Sequence, residues 1–538
     1  MSSSGSAAVS PKAGKPAGGA FSPFGHTAFA LLWTATLISN IGTWMHEVGA
    51  GWLMTTLNPS PAVVTLVQAA TTLPDFLFAL LAGALADRVD KRRMLISINL
   101  GLTVVIAMLA LLVWQERMTP TLLSLFTLTI GTGVAFMAPA WQAVVPQLVP
   151  REKLKPAIAL NSMGINISRA IGPALAGVLI ASVGLSAPFA LNAASHLIIL
   201  LALVLWRPEA TVKSTYHGPI LGDMATGLRH VRHNEAMRAT AVRAAAFFIF
   251  ASAYWSLLPL IARNVEGGGS ELYGALMAMV GGGAVAGAFA LPHLQKIASS
   301  DTVVRIGTVG TMVALIAMAI SSTSMALMGS AFIGGLSWIA VLTSFNVSAQ
   351  TALPDWVRAR GLAVFLMVFF GSMSLGSVLW GQIASFTSIP TALFIAAAGL
   401  GLGALITRKS IVGQGEVLDL SPAAMWPDAP ALSEARTVNR AAMVTVEYSI
   451  DDKDRQAFLD AMHIFSKERL RDGAMRWALH ESVENPGLWV ESFHLPSWAE
   501  HLEQHRRVTR EDADMQTKLN AFDTRASGPV VRHFIAPE

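Results

Sequence analysis

Twelve apolar runs separated by short polar breaks constrain this chain more than any other feature. Each is long enough to cross roughly 30 Å of hydrocarbon as a helix. They fall near residues 27–55, 62–86, 95–115, 121–145, 158–183, 188–206, 239–262, 272–292, 303–321, 324–348, 361–386 and 390–407. In lipid every backbone N–H and C=O needs a partner within the protein, so such a chain folds as a bundle of helices. Charged residues are only 13% of the 538, about half the share of a soluble protein. Most of the chain therefore belongs in a bilayer.

The charges that exist are unevenly placed. Residues 437–538 hold 17 acids and 13 bases, whereas the preceding 436 residues hold the other 17 acids and 25 bases. The tail is thus about three times as charged as the body, which predicts a water-soluble domain appended to a membrane domain. Body lysines and arginines cluster in loops, a topology signal rather than a nucleic-acid footprint. With no cysteine, disulfides and thiolate metal sites are excluded. Residues 1–20 lack an apolar core and a cleavage pattern, and they read as a disordered cytoplasmic tail.

Basic loops alternate along the chain. One set carries Arg88, Lys91, Arg92 and Arg93, then Arg151, Lys153 and Lys155, then Arg207 to Arg232, Lys296, Arg358, Arg360, Arg408 and Lys409; the other offers Arg117 and Arg263. The positive-inside rule then places both termini in the cytoplasm, in a multi-pass protein of the inner membrane. A shift of 204 residues lays Ala82-Gly83-Ala84 on Ala286-Gly287-Ala288, and also Pro150 on Pro354, Gly172 on Gly376 and Gly177 on Gly381. Two six-helix pseudo-repeats follow, at 21–206 and 239–407, joined by a cytoplasmic linker at 207–238. In that linker Ile220, Leu221, Met224, Leu228 and Val231 recur at helical spacing opposite Arg229, His230 and Arg232, which predicts an interfacial amphipathic helix.

Between the second and third apolar runs stands Gly83-Ala-Leu-Ala-Asp87-Arg88-Val-Asp90-Lys-Arg92-Arg93. This resembles the signature loop of the major facilitator superfamily, Gly-x-Leu-x-Asp-Arg-x-Gly-Arg-Arg/Lys. Asp90 replaces the second glycine, and Asp-Lys-Arg-Arg at that place is similar to the enterobactin-exporter-like, or transmembrane secretion effector, branch. The resemblance implies a gate: Gly83 for close helix approach, Asp87 facing the start of span 11, Arg88 and Arg92 holding that aspartate; the alternative is that Arg88 to Arg93 only enforce positive-inside topology. A helix N-terminus attracts a carboxylate on general grounds. The corresponding loop of the second half, Ala290 to Lys296, has no aspartate.

A second linker at 408–436 leads to strand-like Met443–Ile450, a helix over 453–470, strands at Met475–Val483 and Leu488–Leu495, helices at 497–507 and 509–521, and a last strand Val530–Ile535. That order predicts a ferredoxin-like α+β domain over 437–538. Arg469 to Ala474, Trp477 and Ser497 to Leu502 resemble the antibiotic-biosynthesis monooxygenases, whose domains pair through their sheets. The fold class is therefore an all-α membrane protein of twelve transmembrane helices in two six-helix pseudo-repeats, plus a C-terminal ferredoxin-like domain.

Charges inside spans cost at least about 2.5–3.5 kcal/mol near the bilayer centre. Before residue 437 only Glu47 and Asp75 are acids within spans, and Arg169 lies level with Asp75. Asp75 and Arg169 read either as a buried ion pair or, with Glu47, as groups coupling proton movement to transport. His196 reads as a packing residue. Span 5 carries Arg169-Ala-Ile-Gly172-Pro173-Ala-Leu-Ala-Gly177, which resembles the Gly-Pro signature of drug and siderophore exporters. Cavity candidates are Asn40, Trp44, Asn166 and Trp338, with Gln142, Tyr254, Trp255 and Asn346. In the tail, His501 and His505 stand at i, i+4 without the glutamate of a metalloprotease, and they read as a solvated face. No catalytic residue, metal or cofactor is expected.

These observations predict a proton-coupled exporter of a small siderophore- or drug-like molecule, working by alternating access, with a homodimer formed through the tail. The alternative is a membrane-anchored enzyme or sensor whose monooxygenase-like tail carries the activity.

Overall fold

The computed structural model describes residues 21–207, 220–421, 423 and 440–537. The expected disordered tail at 1–20 and about half of the 408–436 linker lie outside them. Six long helices form the first half: α1 (Thr27–Leu57), α2 (Pro61–Arg88), α3 (Lys91–Trp114), α4 (Pro120–Val144), α5 (Leu154–Ser182) and α6 (Ala187–Leu205). After the shorter α7 (Ile220–His233) come α8 (Glu235–Asn264), α9 (Ser270–Leu294), α10 (Ser300–Ile320), α11 (Ser324–Thr351), α12 (Arg358–Phe386) and α13 (Ile389–Ile406). Among the described residues, these helices other than α7, twelve in number, are long and apolar enough to span a membrane.

Helix starts follow from local chemistry. Pro61 and Pro120 occupy first-turn positions that lack an N–H partner in any case. Thr119, Asn234, Thr323 and Ser388 cap α4, α8, α11 and α13 by accepting a backbone N–H. Asp90, which departs from the superfamily pattern, is the cap of α3, and its carboxylate accepts the Arg93 N–H at 2.9 Å. Arg92 donates to Leu203 O at 2.9 Å and Val204 O at 2.7 Å. It therefore closes the last turn of α6, because the free carbonyls at a helix end attract a cation.

The 204-residue repeat has a structural meaning. A side chain at Gly172 would collide with Trp44 and Ile41 O of α1, and one at Gly376 with Ile249 O and Ser252 of α8. Five residues on, Gly177 faces Ser270 and Gly274 of α9, while Gly381 faces Pro61 and Thr65 of α2. In each half, then, the first glycine packs on the same half and the second packs across to the other. Small residues let helices approach where lipid supplies no hydrophobic driving force.

The halves meet at the face opposite the chain's start, the distal face. There Trp52 stacks on Tyr273 with ring centres 6.3 Å apart, and Arg263 donates to Thr55 O. Ala62 N–H donates to Ser385 Oγ at 2.9 Å, and Ser374 Oγ to Ala69 O at 3.3 Å. Toward the face bearing the chain's start, Gly83 and Arg88 line a pocket of about 260 Å³ together with Asp355, Trp356 and Arg360. A Cβ at Gly83 would meet nothing within 4 Å. Close helix packing at Gly83 is thus not what this conformation uses it for.

The tail forms β1 (Ala442–Ser449), α14 (Arg455–Arg471), β2 (Arg476–Glu481), β3 (Leu488–Leu495), α15 (Trp498–Arg507), α16 (Arg510–Asn520) and β4 (Val530–Ile535). The sheet order β2-β3-β1-β4, with antiparallel pairing throughout, is ferredoxin-like. Tyr448, Phe458, Phe465, Phe493 and Trp498 fill the space between sheet and helices. Helix α7 departs from expectation. His230 is fully buried with its ring against Trp356, whereas Leu228 is 59% exposed. The helix is clasped between the start of α12 and the tail's α14, so protein contacts rather than a lipid surface decide which face turns inward.

Candidate functional site

A central cavity of about 380 Å³ lies between the halves. From α1 it receives Thr43, Trp44, His46 and Glu47; from α2, Gln68, Thr71, Thr72 and Asp75; from α4, Thr127; and from α5, Arg169. The second half supplies Trp255, Ser256 and Pro259 of α8, Tyr273 and Met277 of α9, Trp338 of α11, and Phe369, Phe370 and Met373 of α12. The first half thus supplies all the charged groups and most of the hydroxyls, among apolar residues such as Val64, Val67 and Ile130, and the second supplies most of the aromatic rings. Trp338 sits 5.2 Å from Trp255 and 5.4 Å from Phe248, and Phe248 sits 4.5 Å from Phe369, measured between ring centres.

Prolines shape the polar wall. A proline cannot donate to the carbonyl four residues earlier, so Pro74 releases Ala70 O and Pro173 releases Arg169 O. Both released carbonyls face a glycine of a neighbouring helix. A Cβ on Gly131 of α4 would lie 3.3 Å from Ala70 O, and one on Gly281 of α9 would lie 3.0 Å from Arg169 O. Pro74 directly precedes Asp75, and Pro173 follows Arg169 by one turn.

Glu47, Asp75 and Arg169, marked from sequence as intramembrane charges, all line this one cavity. Among the described residues Arg169 forms no ion pair with Asp75. Its guanidinium lies over the Trp44 ring, 5.3 Å from the centre, and the carboxylate within its electrostatic reach is Glu47. Arg169 Nε, both ring nitrogens of His46, Trp255 Nε1 and Ser256 Oγ are buried without a protein hydrogen-bond partner. Buried polar groups are almost always satisfied, so four such residues around one cavity describe a surface made to receive polar atoms.

Of the other sequence candidates, Trp44, Trp255 and Trp338 line the cavity, and Asn40 and Asn166 do not. Asn166 instead donates to Ser162 O on its own helix at 2.9 Å, as Asn346 does to Leu342 O at 3.2 Å. Tyr254 is a packing residue whose hydroxyl donates to Ala331 O at 2.9 Å, and Gln142 is exposed. His196 is buried, with Nδ1 3.1 Å from Asn99 Oδ1. Asp87 lies near the end of α2, with its side chain outside the described set. Sequence reasoning missed Gln68, Thr71 and Thr72. With Asp75 they form an i, i+3, i+4, i+7 polar stripe, which was legible in an otherwise apolar run.

The tail holds a second polar centre. Arg469 donates to Glu491 at 3.0 Å, between the rings of Phe465 and Phe493 at 4.4 and 4.7 Å. Trp477 Nε1 donates to the same carboxylate at 2.9 Å. Beside this centre, Glu468, Asp472, Gln504 and Asp512 enclose only about 10 Å³, room for about one water. It is a fastened core rather than a substrate chamber. Burial first, then the nearby His505 and His533, hold His501 neutral with a pKa of about 3. His501 is only 1% exposed, which corrects its reading as part of a solvated face.

A family model described as transmembrane secretion effector matches residues 18–538. The staphyloferrin A transporter of Staphylococcus aureus is 26% identical over 343 residues, covering 63% of this chain and 85% of that protein. The enterobactin exporter of Salmonella typhimurium is 25% identical over 381 residues, covering 70% and 90%. Among solved structures, an inward-facing bacterial homologue of the human lysosomal transporter Spinster superposes with a TM-score of 0.57 at 13% identity, covering 71% of this chain and 96% of that one.

Proposed function

Since this chain belongs to the transmembrane secretion effector family of the major facilitator superfamily, we propose that it is a proton-coupled exporter of a siderophore- or drug-like molecule. It is a multi-pass secondary transporter, and export of such compounds is in keeping with its siderophore- and macrolide-transporting relatives. The observation that carries the reading is the divided cavity. One wall offers Arg169, Glu47, Asp75 and a row of hydroxyls; the other offers Trp255, Trp338 and Phe369. That division suits an amphipathic compound with acidic or hydroxylated groups on one side and a ring system on the other.

Arg169 is the anchor for an acidic group of the substrate, and Glu47 and Asp75 are the groups that exchange protons with it. An acid within a span is costly and is a functional hypothesis by default. Alternating access then closes the pocket at Gly83 and Arg88 and opens the distal contacts, with Asp87 at the start of α12 as the gate. Both termini lie in the cytoplasm, as the basic loops imply. Pairing of two chains through the tail's sheet fits the exposed Val530 and Phe534, which share the face of the edge strand that the helices leave open.

The test is proton release from inside-out vesicles energised to an acidic interior, with catecholate and carboxylate siderophores and lipophilic cations added singly. Substrate-dependent proton efflux that is lost in Asp75→Asn or Glu47→Gln is the expected result. Labelled substrate crossing with no proton movement in wild type would refute the coupling.

A further inference from the structure

The tail brings three histidines together that the sequence keeps apart. His501 and His505 share one face of α15, and His533 comes from β4. His533 pairs with Val444, a buried core residue, so it lies on the sheet face that the helices cover. One ring nitrogen from each lies within 4.8 Å of the other two. The Nε2 atoms of His501 and His505 are 3.2 Å apart, close to the roughly 3.3 Å separation of two nitrogens bound at about 2.0–2.1 Å to one tetrahedral zinc ion.

We propose that His501, His505 and His533 form a three-imidazole site for a divalent transition-metal ion of the zinc class, leaving a fourth position open toward solvent. Imidazole nitrogens suit Zn²⁺, Ni²⁺, Cu²⁺ and Fe²⁺, whereas Mg²⁺ and Ca²⁺ need oxygen donors. His501 forms the buried base of the site and the half-buried His505 and His533 its rim, so an ion can reach it. A ligating imidazole needs its second nitrogen oriented by a neighbour. His501 Nδ1 is buried without a partner, and so are both amide atoms of Gln504 in the next turn. Gln504 is therefore placed to fix the His501 tautomer. Trp498 closes the other side, its ring centre 5.0 Å from that of His501 and 5.5 Å from that of His533.

The placement ties the site to the membrane domain. Helix α15 carries two of the three histidines and also Glu500 and Arg507. Glu500 meets Arg229 of α7 at 3.5 Å, and Arg507 lies over Trp356 before α12. An ion bridging α15 to β4 therefore acts on the helix through which the tail meets α7 and the turn before α12.

The experiment uses the full-length chain without an affinity tag, stripped with chelator and titrated with Co²⁺. The chain has no cysteine, so visible ligand-field bands report nitrogen and oxygen donors alone. Expected is one equivalent of Co²⁺ with the absorption of a four-coordinate site, displaced by Zn²⁺. His505→Ala and His533→Ala each weaken binding at least about 10-fold, with metal-free amide exchange of β1 and α14 unchanged, and His480→Ala, on an exposed strand position, binds as wild type. No four-coordinate spectrum in wild type, or an undiminished one in both rim variants, would overturn the site. If the alanine variants alter metal-free exchange, His505→Gln and His533→Gln take their place and are judged by the same criterion.

Discussion

The Arg507 guanidinium lies 4.5 Å from the centre of the Trp356 ring, and this contact fastens the tail to the turn that leads into α12. Arg507 is held in place by Glu500 at 2.6 Å, and Glu500 in turn meets Arg229 of α7. His230 packs on the same Trp356 ring, its ring centre 5.4 Å away. Burial lowers the His230 pKa well below the ordinary value, and Arg471, Arg229 and Arg507 lower it further, so a neutral ring meets the tryptophan. The tail is therefore seated on the helix whose leading end borders the pocket at Gly83.

Arg507→Gln is expected to loosen this seat while leaving both domains folded. A partly desolvated cation–π contact is worth about 1–2 kcal/mol. Amide exchange in residues 352–357 should accelerate about 5- to 30-fold, with exchange in β1 and β3 unchanged. Unchanged exchange at the turn would show that the contact does not hold it.

The distal closure offers a second test. A Cβ on Gly274 would lie 2.7 Å from Pro173 O and 2.9 Å from Gly177 Cα, both backbone atoms that cannot swing aside. Gly274→Leu should therefore disfavour this conformation and populate the one open at the distal face. With no native cysteine, a single Gln68→Cys in the cavity serves as reporter. Its labelling by a membrane-impermeant thiol reagent applied at the distal face should rise several-fold with Gly274→Leu, and transport should fall at least about 10-fold, as one conformation is trapped.

The twelve spans, the repeat and the ferredoxin-like order were legible because lipid and sheet geometry impose periods that survive in one sequence. Strands Leu488–Leu495 and Val530–Ile535 fall where the alternation places them. Glu47, Asp75 and Arg169 were legible as charges in apolar runs, but not Arg169's seat over Trp44, which depends on how α1 and α5 cross. The burial of His230 and His501 was hidden for another reason. Each lies on a helix whose polar face is covered by another part of the chain, remote in sequence, and periodicity cannot report what covers a face. Arg92's bonds to the α6 carbonyls were not legible, because a motif specifies residue types, while those carbonyls are over 100 residues away.

Removing Glu491 should be the most costly change in the tail. Its buried carboxylate accepts from Arg469, from Trp477 and, at 3.4 Å, from Tyr448. Glu491→Ala leaves Arg469 buried without its anion, at a cost of about 3–5 kcal/mol. Joint replacement of Arg469 by Met and Glu491 by Leu should cost less than the single change, because no uncompensated charge remains. Global exchange rates of β1 and β3 amides in the full chain compare the two; a single variant as stable as wild type would contradict the pair's role.

Glu468 predicts how the tail responds to pH. Burial first, and then nearby Asp512, raise its pKa from 4.5 to about 8, with Arg471 acting in the opposite sense. Its Oε2 is buried without a hydrogen-bond partner, so the folded tail favours the protonated form. A carboxyl whose folded pKa exceeds its unfolded value binds more protons when folded. Its contribution is fully present below about pH 4.5 and is lost as pH rises to about 8. The full shift would correspond to nearly 5 kcal/mol, and partial solvent access of the side chain reduces this to about 2 kcal/mol. Glu468→Gln should match wild type near pH 4.5 and exceed it by about 2 kcal/mol near pH 8, as measured from α14 amide exchange in the full chain. The comparison isolates this group, because the histidines that titrate over the same range are common to both proteins. A constant difference across the range would assign the variant's effect to packing rather than to the proton.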